Sequence, residues 1–458
     1  MGNACYYGDM ISLPEKYKER MRAILGADYD KYESTFAEPP ARGFLINTSK
    51  IGEEAFDKLF SFPTEPLSYT SRGRRLLSDD KAGSDPLHAA GLYYMQDPGA
   101  MSPIAALPEV QGRILDIAAA PGGKTIGAAL RFPNAFIVAN EVNFPRAKIL
   151  MQNVERLGLR NVAVTSLAPS DFARFTTESF DLILADLPCS GEGMFRKEPA
   201  AVAAWNENIN RMNADRQREI LSDLLPALKK GGLLLYSTCT YAPEENEDIL
   251  LYLIKEKGLT PLPPREEVLP VTAPALSREG EDLSFARRFY PFIEKGEGQF
   301  FALLQKQGEA LYTEKSIPAK PTANELKRIR AFTDRYVEGD LGVINKQGDS
   351  YYAVHPSART LPLRYLSEGV RLGEFSGENF LPHHNLFTAF GDRFKNKENL
   401  KRGDPRLEAY LYGLEIDGKE CENGFVTITV EGYPLGGGKC VDGRIKNHYP
   451  KGLRLKKI

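Results

Sequence analysis

Two cysteines stand where thiol chemistry is expected, each directly after a short run of strand-forming residues. Cys189 lies in the segment DLPCSG (186–191), and Cys239 lies in the segment STCTY (237–241). The carboxyl ends of neighbouring parallel strands meet at one edge of a sheet, which is where such sheets bind ligands. Two thiols beside one pocket favour covalent catalysis, because a thiolate is a strong nucleophile. For either cysteine taken singly, the alternative is a small buried residue without chemistry.

An acid at the same edge suits methyl transfer to a pyrimidine. The ring carbon C5 is too weakly nucleophilic to accept a methyl group directly, whereas thiolate addition at C6 makes C5 enamine-like. A carboxylic acid near ring N3, here Asp186, would stabilise the charge that develops there. A second thiol could act as the base that removes the C5 proton. Asp186, Cys189 and Cys239 are therefore the predicted catalytic residues. No C-x-x-C pair is present, so no metal site is expected.

A loop of small residues provides the candidate binding site. The segment DIAAAPGGKT (116–125) leaves the first predicted strand and enters a helix. Small residues let the backbone approach a ligand closely, and the helix N-terminus offers unpaired N–H groups. A phosphate loop, G-x-x-x-x-G-K-[ST], is missed by one residue, since Ala118 stands where the first glycine belongs. The candidate binding residues of the loop are Ala119, Ala120, Pro121, Gly122, Gly123, Lys124 and Thr125.

Acidic residues decide which ligand this loop favours. Glu141 stands at the end of the second predicted strand, where an acid can hold ribose hydroxyls. Together with Asp116 it would repel a nucleoside triphosphate. The pair favours a ribose-bearing cofactor that is cationic or zwitterionic, and S-adenosylmethionine fits. A tight turn without a ligand and a P-loop nucleotide hydrolase remain the alternatives.

The elements that must position these residues alternate between strand and helix from 112 to 306, which predicts a parallel sheet with helices on both faces. Predicted strands are 113–117, 135–139, 161–165, 180–185 and 233–237, with a late antiparallel edge strand at 299–304. Predicted helices are 145–157, 211–228, closed by Gly231-Gly232, and 244–257. Upstream, helices at 13–24 and 53–60 flank a strand at 44–47. Downstream, strands at 351–354 and 424–430 and a glycine-rich hairpin at 436–438 predict a small, mostly β region.

Composition sets the class of protein. The chain has 458 residues, 42% hydrophobic and 26% charged, which excludes disorder throughout and allows about three domains. It has no run of 18 apolar residues and does not begin like a signal peptide, so we expect neither a membrane span nor export. Five widely spaced cysteines then indicate free thiols in a reducing compartment. A cytoplasmic protein is expected.

Nucleic-acid binding would have to use local patches, because the net charge is only −2. One patch is the segment 439–458, which holds seven basic residues and one acidic residue. A smaller cluster is formed by Arg72, Arg74 and Arg75. A solvated surface is the alternative for both patches.

Several ordered motifs resemble those of the RNA 5-methylcytosine methyltransferases of the NOL1/NOP2/sun (NSUN) family. They are AAPGGKT (119–125), DLPCSGEGMFRK (186–197), STCTY (237–241) with PEENE (243–247), and YYMQD (93–97) with Ala100-Met101. The flanks resemble the bacterial ribosomal RNA small-subunit methyltransferase F group. That likeness is carried by YPLG (433–436), GK (438–439) and KNHYPKGLR (446–454).

The resemblance implies an α/β fold: a doubly wound, Rossmann-like class I methyltransferase sheet. It also implies a small α+β N-terminal region and a mostly β, PUA-like C-terminal region. The expected domains are an RNA-positioning region (1–90), an S-adenosylmethionine-dependent methyltransferase domain (91–308), a linker (309–325), an intermediate region (326–395) and a PUA-like RNA-binding domain (396–458).

The resemblance also assigns roles. It implies that Cys239 attacks C6, that Cys189 helps to release the product and that Asp186 contacts the cytosine near the cofactor. Residues 119–125 and Glu141 would hold S-adenosylmethionine, with Lys124 near both cofactor and base. The implied substrate is small-subunit (16S) ribosomal RNA, free or in the assembled subunit, with tRNA as the alternative. An inactive RNA-binding ribosome-assembly factor is the competing hypothesis.

Two departures from the family pattern stand out. Many relatives carry an Asp after the third strand, where this chain has Ala168. Asp171 is either a shifted substitute or a helix cap, and the cap is favoured. Relatives often have a His where this chain has Phe292, so the role of that His is not carried over.

Overall fold

The computed structural model describes residues 12–78, 81–309 and 321–455. Its N-terminal region packs helices around a four-stranded antiparallel sheet of order β2-β3-β1-β4. The elements are α1 (Glu15–Leu25), α2 (Tyr29–Ser34), β1 (Gly43–Ile46), α3 (Glu53–Leu59), β2 (Thr64–Leu67), β3 (Thr70–Leu76), α4 (Pro86–Ala89), β4 (Tyr93–Met95) and α5 (Pro98–Ala105).

A large mixed sheet forms the centre of the molecule. Its strands are β5 (Arg113–Asp116), β6 (Phe136–Asn140), β7 (Val162–Thr165), β8 (Phe180–Asp186), β9 (Leu228–Thr238), β10 (Leu259–Leu262), β11 (Ala273–Pro274), β12 (Arg287–Phe289) and β13 (Gln299–Lys306). Its helices are α6 (Gly123–Arg131), α7 (Phe144–Leu157), α8 (Pro169–Phe175), α9 (Pro199–Ala204), α10 (Glu207–Leu224) and α11 (Glu247–Leu251).

Strand order explains where a ligand can bind. The strands β7-β6-β5-β8-β9 are parallel, β13 continues the sheet antiparallel to β9, and β12, β11 and β10 follow beyond β13. The order reverses between β5 and β8, which opens a crevice at their carboxyl ends. Alternate residues of β8 enter two hydrophobic clusters, Leu182 on one face and Ile183 on the other. The sheet is therefore covered on both faces, as the sequence predicted.

The C-terminal part contains α12 (Ala323–Tyr336), β14 (Val343–Gln347), β15 (Ser350–Val354), β16 (Tyr365–Glu368), β17 (Val370–Ser376), β18 (Asn379–Pro382), α13 (His384–Phe390), β19 (Lys397–Leu400), α14 (Pro405–Leu411), β20 (Ile416–Asp417), β21 (Gly424–Val430), β22 (Tyr433–Val441) and β23 (Arg444–Asn447). Two sheets form there, β14-β15-β17-β18 and β19-β21-β22-β23-β20. Strand β16 instead joins the central sheet, antiparallel to β7.

Hydrogen bonds fix both flanks to the catalytic core. Asn47 of the N-terminal region donates from Nδ2 to the carbonyl oxygen of Leu157 at 2.9 Å, at the end of α7. From the other side, Thr388 of α13 donates from Oγ1 to the carbonyl oxygen of Glu155 at 2.6 Å. The last turn of α7 therefore joins the N-terminal, central and C-terminal regions.

Three sequence expectations about elements were wrong in detail. Helix α10 ends at Leu224, before Pro226, which cannot donate a backbone hydrogen bond, and Gly231-Gly232 lie inside β9. Strand β13 is not at the edge, because β12 and β10 pair with it. The glycines 436–438 lie within β22, where a Cβ at Gly437 would come within 2.4 Å of the Phe387 ring.

Within the described residues, no helix is long and apolar enough to cross a membrane. In the same part of the chain, no group of three or more His, Cys, Asp or Glu side chains could hold a metal ion.

Candidate active site

The two predicted cysteines meet at the ends of β8 and β9. Their Sγ atoms lie 3.3 Å apart. The residues that follow them also touch, because the hydroxyl oxygens of Ser190 and Thr240 lie 2.7 Å apart. Because two successive pairs of side chains are in contact, the two loops have a fixed register. The scaffold therefore holds the two thiols together.

A buried carboxylate ties these loops together. Glu245 is fully buried and accepts hydrogen bonds from Ser190 N at 2.9 Å and Asn210 Nδ2 at 2.9 Å. Asn210 lies on α10 and also donates to Glu192, which forms an ion pair with Arg20 of α1. Burial raises the pKa of Glu245 to about 7. The loop that carries Cys189 is thus held by three separate segments of the chain.

The rest of the PEENE segment fixes the loop that carries Cys239. Asn246 accepts from Thr238 Oγ1 at 2.6 Å and donates to the carbonyl oxygen of Thr240 at 2.9 Å. Glu247 forms a buried ion pair with Arg288, whose Nε lies 2.8 Å from Oε1 of Glu247. The sequence analysis named this segment only as a motif. Its last three residues are buried, which a proline followed by four polar residues does not predict, and their contacts show a scaffolding role.

The predicted acid lies beside the loop lysine. Asp186 Oδ2 is 2.7 Å from Nζ of Lys124, and its Oδ1 accepts from Ser237 Oγ at 2.9 Å. Lys124 is largely buried, while the Asp186 side chain keeps about a third of its surface exposed, at 32%. The carboxylate is therefore oriented by two donors and still open to a ligand.

The contact between the two thiols affects the protonation of Cys189. The hydrogen bond with Cys239, followed by burial, raises the pKa of Cys189 well above its ordinary value. At neutral pH Cys189 therefore keeps its proton and can donate to the other sulfur. A protonated thiol in contact with a second sulfur suits a pair in which one sulfur attacks and the other acts afterwards.

The predicted binding loop wraps around the N-terminus of α6. Gly122 has φ +125°, a conformation that favours glycine, and it directly precedes the helix. Inside the turn, Asp116 is fully buried and accepts from Thr125 Oγ1 at 2.6 Å. Burial raises the pKa of Asp116 to about 7. Its other oxygen, Oδ1, accepts no hydrogen bond from the described residues.

Glu141 occupies the end of β6, as predicted, with only 3% of its surface exposed. Its Oε1 accepts from Asn143 N at 2.9 Å. Oε2 lies 3.3 Å from Arg146 Nη1 but accepts no hydrogen bond of good geometry from the described part of the chain. Arg146 instead donates from Nη2 to the carbonyl oxygen of Ala120 at 2.8 Å, which ties α7 to the loop.

These features fit S-adenosylmethionine. Two buried carboxylate oxygens, on Asp116 and Glu141, lie at two neighbouring strand ends and accept no hydrogen bond from the described residues, although Arg146 forms an ion pair with Glu141. An amine and ribose hydroxyls are the donors that such oxygens lack. The open N-terminus of α6 adds N–H groups between them. A triphosphate fits poorly, since both acids would face it.

Other predicted residues have structural contacts. Asp171 accepts from Ala168 N at 3.2 Å, the geometry of a helix cap, as favoured from the sequence. Phe292 stacks on Tyr290. Asn140, which the sequence analysis missed, accepts from Leu167 N at 2.9 Å and fixes the turn after β7.

The basic clusters differ in what their side chains contact. Arg74 and Arg75 are ion-paired with Asp57 and with Glu65, whereas Arg72 donates to Thr48 Oγ1. In the C-terminal patch, the exposed Lys439 and Lys446 lie opposite each other on β22 and β23. Arg454 donates to the carbonyl oxygen of Tyr449. Lys456 and Lys457 lie outside the described residues.

Solved structures share this architecture. A methyltransferase homolog protein from Pyrococcus horikoshii aligns with a TM-score of 0.57 and 29% identity, covering 65% of this chain and 96% of that one. NSun6 from the same organism, solved with the ligand SFG, aligns with a TM-score of 0.57 at 20% identity, covering 66% and 100%. The fold is therefore that of the Rossmann-like NOL1/NOP2/sun methyltransferases.

Sequence comparison narrows the class to one family. Family models for the 16S rRNA methyltransferase RsmB/F, the N-terminal domain of RsmF and the RsmF PUA domain match residues 104–305, 13–98 and 397–455. Ribosomal RNA small subunit methyltransferase F of Klebsiella pneumoniae (strain 342) is 32% identical over 97% of both chains, and that of Enterobacter sp. (strain 638) is 30% identical over 97% of this chain and 96% of its own. The chain belongs to the ribosomal RNA small subunit methyltransferase F family.

Proposed function

We propose that the protein methylates C5 of a cytosine in small-subunit (16S) ribosomal RNA through a covalent thiol–C6 adduct. The observation that carries the proposal is the contact of the Cys189 and Cys239 sulfurs at 3.3 Å beside the Asp186–Lys124 pair. Methyl transfer to an already nucleophilic atom needs no thiol. Two thiols and an acid at one crevice suit a carbon that must first be activated.

The residues that would hold S-adenosylmethionine are Asp116, the loop 119–125 and Glu141. The cofactor supplies an electrophilic methyl group. Asp116 and Glu141 offer buried oxygens to its amine and its ribose hydroxyls. Lys124 leaves the same loop toward Asp186, so the binding loop also orients the acid.

Cys239 is the proposed nucleophile. Its sulfur adds to C6 of the flipped-out base, which makes C5 nucleophilic. After C5 has been methylated, its proton must leave and the bond between the sulfur and C6 must break. Once Cys239 is bound as a neutral thioether, it no longer raises the pKa of Cys189. Cys189 can then release its proton to solvent and, as a thiolate, accept the proton from C5. The C5–H electron pair re-forms the C5–C6 double bond and expels Cys239 as a thiolate.

Asp186 is the proposed partner of the pyrimidine edge. Its position between the Lys124 ammonium and the Ser237 hydroxyl keeps the carboxyl group in one orientation. When Lys124 passes a proton to Asp186 Oδ2, the resulting carboxylic acid can donate a hydrogen bond to ring N3, where negative charge develops during the addition.

The substrate proposal rests on the relatives. The two curated relatives carry ribosomal RNA small subunit in their names, and the match covers nearly all of each chain. The match to the RsmF PUA domain model supports an RNA-binding role for residues 397–455.

The test combines labelled methyl transfer with adduct trapping. Purified protein, methyl-labelled cofactor and small-subunit RNA, free or assembled, should yield 5-methylcytosine, located by bisulfite sequencing. Cys239→Ala should abolish transfer and form no adduct, whereas Cys189→Ala should accumulate a protein–RNA adduct stable in denaturing gels. Cys440→Ala, which removes a buried thiol on β22 of the C-terminal sheet, is the matched control. Methylation only of tRNA would refute the substrate. Absence of transfer with intact RNA binding would favour the assembly-factor hypothesis.

A further inference from the structure

An exposed apolar strip, called the α7 strip below, is formed by the start of α7 and the turn before it, beside the binding loop 119–125. Val142, Phe144 and Ile149 keep 59%, 48% and 49% of their surfaces exposed, although they lie within eight residues of one another. Exposed apolar groups gathered in this way indicate a binding surface. None of the three side chains is needed for the fold of α7, whose buried face is formed by Ala147, Leu150 and Val154.

The strip is cationic as well as apolar. Lys148 lies one helical turn from Phe144 and places its Nζ 4.6 Å from the centre of that ring. Arg146 is also exposed, and no acidic residue occurs between 142 and 154. Aromatic rings beside cations, without acids, suit a ligand that is both planar and anionic.

The two ends of the strip lead to different parts of the molecule. At the N-terminal end, Arg146 donates to the carbonyl oxygen of Ala120, in the binding loop 119–125. At the other end, a Cβ added to Gly452 would lie 3.9 Å from Nε2 of Gln152, which brings the basic C-terminal segment next to α7. Phe144 and Gln152 are eight residues apart, which corresponds to about 12 Å of helix.

We propose that this α7 strip, formed by Val142, Phe144, Arg146, Lys148 and Ile149, binds single-stranded RNA between the C-terminal domain and the catalytic crevice. One base stacks on Phe144, and Lys148 contacts the adjoining phosphates. The inference deepens the proposed function, since it names the surface that guides the same RNA. A protein partner would fit the apolar groups but would not require a strip without acids beside a basic domain.

Direct RNA binding tests the proposal without any methyl transfer. The probe is a short, unstructured, cytidine-containing RNA oligonucleotide, and its Kd is measured at several salt concentrations. Loss of one stacked base weakens binding by about 5-fold to about 150-fold, so Phe144→Ala should lie in that range. Lys148→Ala should flatten the salt dependence by about 0.7 in log–log slope.

Phe175→Ala is the matched control, because Phe175 is 43% exposed at the end of α8 and carries Arg174 over its ring at 5.1 Å. It should bind RNA like the unaltered protein. Equal affinity of the Phe144→Ala and unaltered proteins, or equal losses in both Phe variants, overturns the proposal. Loss of binding to assembled subunits alone would also overturn it and would assign the strip to a protein. Calorimetry with S-adenosylmethionine should show unchanged cofactor affinity in Phe144→Ala. The RNA-binding test does not depend on methyl transfer, so it stays valid even if the unaltered protein does not methylate RNA.

Discussion

Replacing the buried Asp116 by Asn should change how stability depends on pH, by an amount that its burial determines. The pKa of this carboxyl is raised from an ordinary value of 3.8 to about 7 in the folded protein. Between these two values the unfolded chain releases the proton while the folded chain keeps it. Folding therefore becomes less favourable by about 1.4 kcal/mol for each pH unit, reaching about 4 kcal/mol above pH 7.

The Asp116→Asn variant would have no such dependence, because an amide does not titrate in this range. The amide oxygen can still accept from Thr125 Oγ1, while the NH₂ group would replace the oxygen that lacks a donor. An unsatisfied amide costs about 2 kcal/mol at every pH. The cost of the amide does not depend on pH, so it cancels when two pH values are compared. The free energy of unfolding of the variant, relative to that of the unaltered protein, should therefore rise by about 3 kcal/mol from about pH 5 to about pH 8.

Urea unfolding without cofactor at these two pH values measures the difference. Glu155, Glu245 and Glu297 also have a pKa raised to about 7 by burial, but they titrate in both proteins and cancel. A stability difference that is the same at both pH values would refute the buried, protonated state of Asp116. Loss of cofactor binding in the variant, with the stability change as expected, would support its place in the cofactor site.

The remaining predictions concern the scaffold and the RNA surface. Glu245→Ala should slow methyl transfer by about 100-fold through misplacement of the thiols, and should also slow diamide-induced disulfide formation between them, both measured against the unaltered protein. Arg288→Met should lower the free energy of unfolding, measured in urea, by about 3–5 kcal/mol, because Glu247 would stay buried without the ion-pair partner that lies 2.8 Å away. A smaller loss would show that water can enter and hydrate Glu247. Lys439→Ala and Lys446→Ala should each lower the log–log salt slope of RNA binding by about 0.7, and an unchanged slope would remove β22 and β23 from the RNA surface.

The sequence was sufficient for the placement of the main site residues but not for their contacts. Local patterns predicted that Cys189 and Cys239 follow neighbouring parallel strands, and the structure confirms this position. Their contact at 3.3 Å depends on Glu245 and Asn210, which come from separate segments. Nothing in the local sequence distinguishes these polar residues from solvated ones.

The errors in the predicted secondary structure also arise from tertiary packing. Three glycines at 436–438 are typical of a turn, yet they lie in β22 because Phe387 and Tyr410 pack directly over that strand. The turn lies instead at Glu431–Gly432, two residues with positive φ. The glycines at 436–438 thus allow side chains to pack directly against the backbone of β22. The neighbouring sequence does not reveal that contact.

Hydrogen bonding differs between the acids of the PEENE segment and the two acids at the ends of β5 and β6. Among the buried acids, both oxygens of Glu245 and of Glu247 accept hydrogen bonds from within the chain. Asp116 and Glu141 each keep one buried oxygen without a donor in the described residues. A buried acceptor without a donor lowers stability, so its retention at a strand end points to a ligand that supplies the donor. It follows that removing Glu245 or Glu247 should destabilise the protein, whereas removing Asp116 or Glu141 should weaken cofactor binding. Removal of Asp116 should also leave the protein above pH 7 equally or more stable.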